Sequence, residues 1–144
     1  MSEASLGYAG ALSIAFVAAC GTSGPQSFTG NAWLVNESMT VSCAKGTTTM
    51  TYPVTIAFFG TGDDIAYYDR VVHCSPSFVV AGNTATLAAP PTDCSTVIAE
   101  ELAPIDIAEA SITSNGSSFH LVMSGTATVS DGTCAISVDA SGVR

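Results

Sequence analysis

The chain has 144 residues, enough for one domain, with 47% hydrophobic and only 10% charged residues. Twelve acidic residues against three basic ones (Lys45, Arg70 and Arg144) give a net charge of −9. So few cations cannot neutralise a run of phosphates, which excludes a nucleic-acid binder and argues against attraction to an anionic membrane surface. Thr, Ser, Ala, Val and Gly dominate while Leu and Lys are scarce, a β-rich, helix-poor composition.

Residues 6–19, LGYAGALSIAFVAA, form an uncharged apolar run shorter than the about 20 residues a membrane-spanning helix needs. The run suits the apolar region of a secretory signal peptide, although Glu3 stands where such peptides carry a positive charge. It ends in Val17-Ala18-Ala19-Cys20, which resembles the lipobox of bacterial lipoproteins. That resemblance implies cleavage after residue 19, lipidation of Cys20 and attachment to the cell envelope, with the outer membrane as the expected site. Residues 20–29 then read as the lipidated cysteine and a flexible tether, and residues 30–144 as the folded domain. The competing reading makes 6–19 a buried helix and Cys20 an ordinary thiol.

From Gly30 to Cys43 the chain alternates, with Trp33, Val35, Met39, Val41 and Cys43 on one face, the period of a half-buried strand. Thr47–Phe59 alternates next, with Met50, Tyr52, Val54, Ile56 and Phe58 inward, and Pro53 on the opposite face suits a sheet edge or a bulge. Residues 60–64 read as a turn, and 65–74 as a third strand in which Tyr67 with Val71 and Tyr68 with Val72 are equally good inward sets. Gly82-Asn83 marks a hairpin pairing Phe78 with Leu87 and Val80 with Ala85. Pro90-Pro91 predicts irregular structure from 89 to 104, with Thr92-Asp93 capping a short helix or leading a loop.

Asn115-Gly116 predicts a hairpin that sets Ile112 opposite Phe119 and Ala110 opposite Leu121. Asp131-Gly132 predicts another, setting Val129 opposite Cys134 and Ala127 opposite Ile136. An odd slip in either would turn an apolar set out to solvent.

With Cys20 assigned to the lipid, Cys43, Cys74, Cys94 and Cys134 remain, an even number in an exported chain and three possible connectivities. Setting the first strand antiparallel to the last, with Cys43 opposite Cys134, puts Val41 opposite Ile136, Met39 opposite Val138 and Trp33 opposite Arg144. This register predicts a Cys43–Cys134 disulfide that closes a barrel, and leaves Cys74–Cys94 to clip the central region. Closure of about eight antiparallel strands removes exposed edges. The expected fold is a single all-β, up-and-down barrel, with a β-sandwich as the alternative.

The Gly30–Trp33 opening and the terminal Arg144 stacked on that Trp resemble lipocalin-type (calycin) barrels, an architectural likeness that carries no function by itself. The lipobox, the Trp strand, the four further cysteines and a closing Cys-containing strand resemble small lipoproteins of environmental bacteria such as myxobacteria, and no activity comes with that likeness.

Catalytic signatures are lacking: there is no Gly-x-Ser-x-Gly elbow, His-Glu-x-x-His, phosphate loop or dinucleotide fingerprint. His73 adjoins a cysteine and His120 faces outward, so both read as surface or packing residues, and no zinc spacing exists. Asp63-Asp64 lacks the oxygen spacing of a calcium loop. Glu100, Glu101, Asp106 and Glu109 form a solvated acidic face or a dock for a basic partner. Glu37 is the one charge on the inward face of the first strand, a barrel-mouth carboxylate or a group that orients a ligand. The expected function is a non-enzymatic binding barrel, without cofactor or metal, for a small apolar ligand or envelope component. Its cavity would be lined by Glu37, Met39, Tyr52, Phe119 and Met123. The alternative is a periplasmic inhibitor of a lysozyme or protease. Val41-Ser42-Cys43 with Gly46 resembles the opening of the bacterial lysozyme inhibitors, and the acidic balance suits a basic enzyme; their Ser-Gly-x-x-Tyr loop is missing.

Overall fold

The computed structural model describes Phe28, Thr29 and residues 32–144; the leader and Cys20 lie outside the described residues. Ten strands follow in order: β1 Trp33–Cys43, β2 Gly46–Ile56, β3 Phe59–Thr61, β4 Asp64–Ala66, β5 Ser77–Ala81, β6 Thr84–Ala89, β7 Cys94–Ile98, β8 Glu101–Ser114, β9 Ser118–Val129 and β10 Gly132–Val143. All pair antiparallel in one sheet of spatial order β2-β1-β10-β9-β8-β6-β5-β4-β3, and β7 hangs from β8.

The first and last strands pair in the expected register, with Val41 opposite Ile136, Met39 opposite Val138 and Val35 opposite Gly142. Both disulfides form as expected, Cys43–Cys134 and Cys74–Cys94. In the loop-entropy account the first, spanning 91 residues, contributes about 4–5 kcal/mol and the second, spanning 20, about 3 kcal/mol.

The barrel, however, is not closed. β2 and β3 stand at opposite ends of the sheet although only Ala57 and Phe58 join them. The sheet therefore curls into a half-barrel with a seam along β2. The physical reason is strand length: β3 and β4 have three residues each and cannot pair along the eleven of β2. Pro53, without an amide hydrogen, lies in this edge strand, where proline is tolerated.

Other expectations shift locally. The β5–β6 hairpin has the expected register, Phe78 opposite Leu87 and Val80 opposite Ala85. In β8–β9 the pairing slips by two, so that Ile112 meets Leu121 and Ala110 meets Met123. The cause is Asn115, whose Oδ1 accepts from the amides of Ser117 and Ser118 at 3.0 and 2.9 Å and widens the turn. The β9–β10 pairing also slips by two, placing Cys134 opposite Ala127. Here the Glu101 carboxylate accepts from the Ser130 amide and hydroxyl at 2.8 and 2.9 Å, drawing Ser130 into the turn. Even slips preserve the facing, so the inward set survives both. A bulge between Ile107 and Glu109 bends β8; opposite it, a side chain on Gly125 would collide with the Asp106 carbonyl.

Two segments differ in kind. Residues 67–74 form a tight turn in place of a third strand, with Tyr67, Val71 and Val72 all buried and Tyr68 exposed. Residues 89–104, expected to be irregular, hold β7 and the start of β8 as a hairpin. Its turn residues Ala99 and Glu100 both have positive φ, 51° and 65°, without the glycine or asparagine such turns favour.

The core fills the curl. Trp33 is fully buried, packs edge-on to Phe119 at 5.0 Å, and donates its indole N–H to the Phe28 carbonyl at 3.0 Å. Phe58 meets Phe28, Tyr67 and Phe119 edge-on, arrangements that contribute about 0.5–1.5 kcal/mol each beyond area burial. The Arg144 guanidinium covers the Trp33 ring at 4.3 Å, as the register predicts.

Candidate functional site

Because no strand among the described residues continues the sheet beyond β2, its inward residues Met50, Tyr52 and Val54 are only half-buried. Their opposite numbers on β1 (Met39, Glu37 and Val35) are buried. The outward side of β2 is a hydroxyl ladder, with Thr51, Thr49 and Thr47 bonded to Ser38, Thr40 and Ser42 at 2.8, 2.9 and 3.2 Å. This holds the edge strand against β1 and fixes which face it turns to the seam.

The facing wall is built by Asp69. Its Oδ1 accepts from the amides of Val71 and Val72 at 2.8 and 3.1 Å, its Oδ2 from the Tyr67 hydroxyl at 2.8 Å, and its own amide donates to the Cys74 carbonyl at 2.8 Å. The turn then grips β7. The Ser95 amide donates to the Val72 carbonyl at 2.9 Å, and His73 Nδ1 lies 2.9 Å from the Ser95 carbonyl. A carbonyl only accepts, so Nδ1 carries the proton and Nε2 faces away from this bond. The Cys74–Cys94 disulfide fastens the same two segments.

Between the walls runs a groove. Its upper part, about 900 Å³, lies between Tyr52 and Val54 on one side and Arg70, Val71 and His73 on the other. Its lower part, about 620 Å³, runs from Met50 past Ile98 to the Cys43–Cys134 disulfide. Val97 borders both. These volumes fall in the range of small-ligand sites, roughly 300–1,000 Å³.

Behind Tyr52, within the core, sits a carboxyl pair. Glu37 is 1% exposed and bonded to Asp69, and its Oε1 has no hydrogen-bond partner among the described residues. Burial first, then the Asp69 charge and the bond to it, push the Glu37 carboxyl up to about 9, so at neutral pH it holds a proton. Burial also raises the Tyr67 hydroxyl well above its usual range, helped by the charges of Asp69 and Glu37. Each step is consistent: a buried carboxyl facing a carboxylate stays neutral because two adjacent charges without water are too costly.

Of the expected cavity residues, Tyr52 lines the groove, while Glu37, Met39, Phe119 and Met123 are buried in the packed core beneath it. His120 faces outward as expected, its Nε2 hydrogen-bonded at the surface to the Asp139 carboxylate at 3.0 Å. Of the acidic stretch, Glu101 is spent on Ser130. Sequence reasoning gave Asp69 and Arg70 no place in a site, because it read 65–74 as a strand. The available signal was two consecutive apolar residues, Val71 and Val72, that no half-buried strand can place on one face, preceded by an aspartate able to cap a turn.

No protein-family model matches the chain, and comparison with curated proteins and with solved structures gives no significant match either, so the functional reading rests on this geometry alone.

Proposed function

We propose that the protein is a non-enzymatic binding domain of the bacterial envelope, anchored through lipid on Cys20, that takes a small apolar ligand or envelope component in the seam groove. The observation that carries this reading is the half-buried apolar face of β2, Met50, Tyr52 and Val54, opposite a wall fastened by the Asp69 turn and the Cys74–Cys94 disulfide. A preformed, mainly apolar cleft with few polar groups is the usual form of a small-molecule site. The test is fluorescence titration with the apolar probe N-phenyl-1-naphthylamine. The wild-type chain should enhance the probe's emission saturably, and Val97→Glu should abolish the enhancement. Val97 is 55% exposed, so this variant keeps the fold. No saturable enhancement, or enhancement indifferent to Val97→Glu, contradicts the groove reading.

A second reading, an inhibitor of a basic lysozyme or protease, draws on the β7–β8 hairpin. Its tip pairs exposed Val97 with exposed Leu102 and carries the left-handed Ala99–Glu100 turn. Strain held at an exposed tip is a reason to test for a partner there. Surface plasmon resonance against a basic lysozyme, with Leu102→Glu as control, decides it: binding lost in the control supports this reading, and absence of binding removes that enzyme as its target.

A further inference from the structure

The upper groove carries a positive charge in a strongly acidic protein. The chain holds twelve acidic residues and three basic ones. Two of the three cations are engaged. Lys45 pairs with Asp131 at 2.8 Å, and Arg144 covers Trp33 while donating to the Gly116 and Thr29 carbonyls at 3.0 and 3.2 Å. Arg70 is exposed, has no hydrogen-bond or ion-pair partner among the described residues, and stands in the wall of the upper groove. His73, the third residue of the same wall with Val71 between them, has its Nδ1 fixed on the Ser95 carbonyl and its ring exposed. Among the described residues no aspartate or glutamate lines this part of the groove. Beneath it Glu37 is neutral and bonded to Asp69, whose carboxylate also accepts from the Tyr67 hydroxyl and the Val71 and Val72 amides.

An apolar cleft rimmed by the one cation left uncommitted among the described residues of a strongly acidic protein fits a particular ligand chemistry. We propose that the groove binds a free long-chain carboxylate, its alkyl chain along Tyr52, Val54 and Val97 and its head group on the Arg70 guanidinium, with His73 beside it. This rests on the groove reading above and adds the head-group class. Guanidinium matches a carboxylate through two parallel N–H···O bonds, and such charge-assisted pairs are about twice as strong as neutral ones. Acidic residues elsewhere on the surface repel the same anion, so the head is steered to this rim.

The experiment is displacement of N-phenyl-1-naphthylamine from the full chain by dodecanoate, dodecanol and dodecylamine at pH 7.5, with wild type and Arg70→Gln. Arg70 is exposed, so the variant folds, which far-ultraviolet circular dichroism checks. The wild type should prefer dodecanoate to dodecanol about tenfold or more, and Arg70→Gln should lose that preference while keeping its dodecanol affinity. Equal affinity for dodecanoate and dodecanol, a preference for dodecylamine, or a dodecanoate preference that survives Arg70→Gln overturns the head-group assignment while leaving the groove reading intact. Failure of all three to displace a bound probe overturns the assignment together with the groove, since the probe then sits elsewhere.

Discussion

Replacing Glu37 by Gln should make the protein more stable at neutral pH and remove a pH dependence that the wild type carries. In the folded state the carboxyl is raised from 4.5 to about 9, chiefly by burial and then by Asp69. A group raised in this way contributes its full stability below the unfolded value, and that stability falls as pH rises, because only the folded state keeps the proton. The window therefore runs from 4.5 up to about 9. Each pH unit inside it is worth about 1.4 kcal/mol. Between pH 5 and pH 7 the wild type should lose about 3 kcal/mol relative to Glu37→Gln, which has the same shape and can still donate to Asp69 but does not titrate. The assay is urea denaturation of both proteins at half-unit intervals from pH 5 to 9, read as the difference between them so that titration of the other carboxylates cancels. A difference that widens steadily up to about pH 9 and then levels is the expected result. Parallel curves would refute the reasoning, for they would mean that Glu37 titrates alike in the folded and unfolded chains.

Three further outcomes follow from other parts of the fold. The left-handed turn of β7–β8 holds two residues with side chains where asparagine and glycine fit better, so Ala99→Asn with Glu100→Gly should raise stability by about 1–2 kcal/mol, seen as a higher melting temperature. Replacing Cys74 and Cys94 together by Ser should cost about 3 kcal/mol in urea and weaken probe binding, because the bond fastens the groove wall to β7. Removing the Arg144 side chain should cost about 0.5–1 kcal/mol and shift the emission of Trp33, the chain's single tryptophan, to longer wavelength, since the guanidinium lies over that ring.

What the sequence made legible follows a physical division. Facing depends on a period of two, so Trp33, Val35, Met39 and Val41 could be placed inward from the chain alone, and the shared facing of Cys43 and Cys134 led to the disulfide. Gly82-Asn83 set its hairpin because the turn's own dihedrals fix the register. Asn115-Gly116 and Asp131-Gly132 were misread by two positions, because side chains decided those turns: Asn115 on the amides behind it, and Glu101 reaching from a distant strand. The seam was hidden for a different reason. It depends on a pairing that does not form, and the short β3 and β4 that prevent it look in sequence like the flanks of a turn. The candidate site inherits that blindness. Tyr52 was visible as an inward residue, whereas Arg70 reaches the groove only because Asp69 folds its segment into a turn opposite β2.

The most direct test of the groove is methyl nuclear magnetic resonance of the full chain titrated with dodecanoate. The account predicts shifts centred on Val54, Val71 and Val97 in the groove lining, with Val122 unmoved on the convex face. Shifts centred on Val122, or none at saturating ligand, would contradict it.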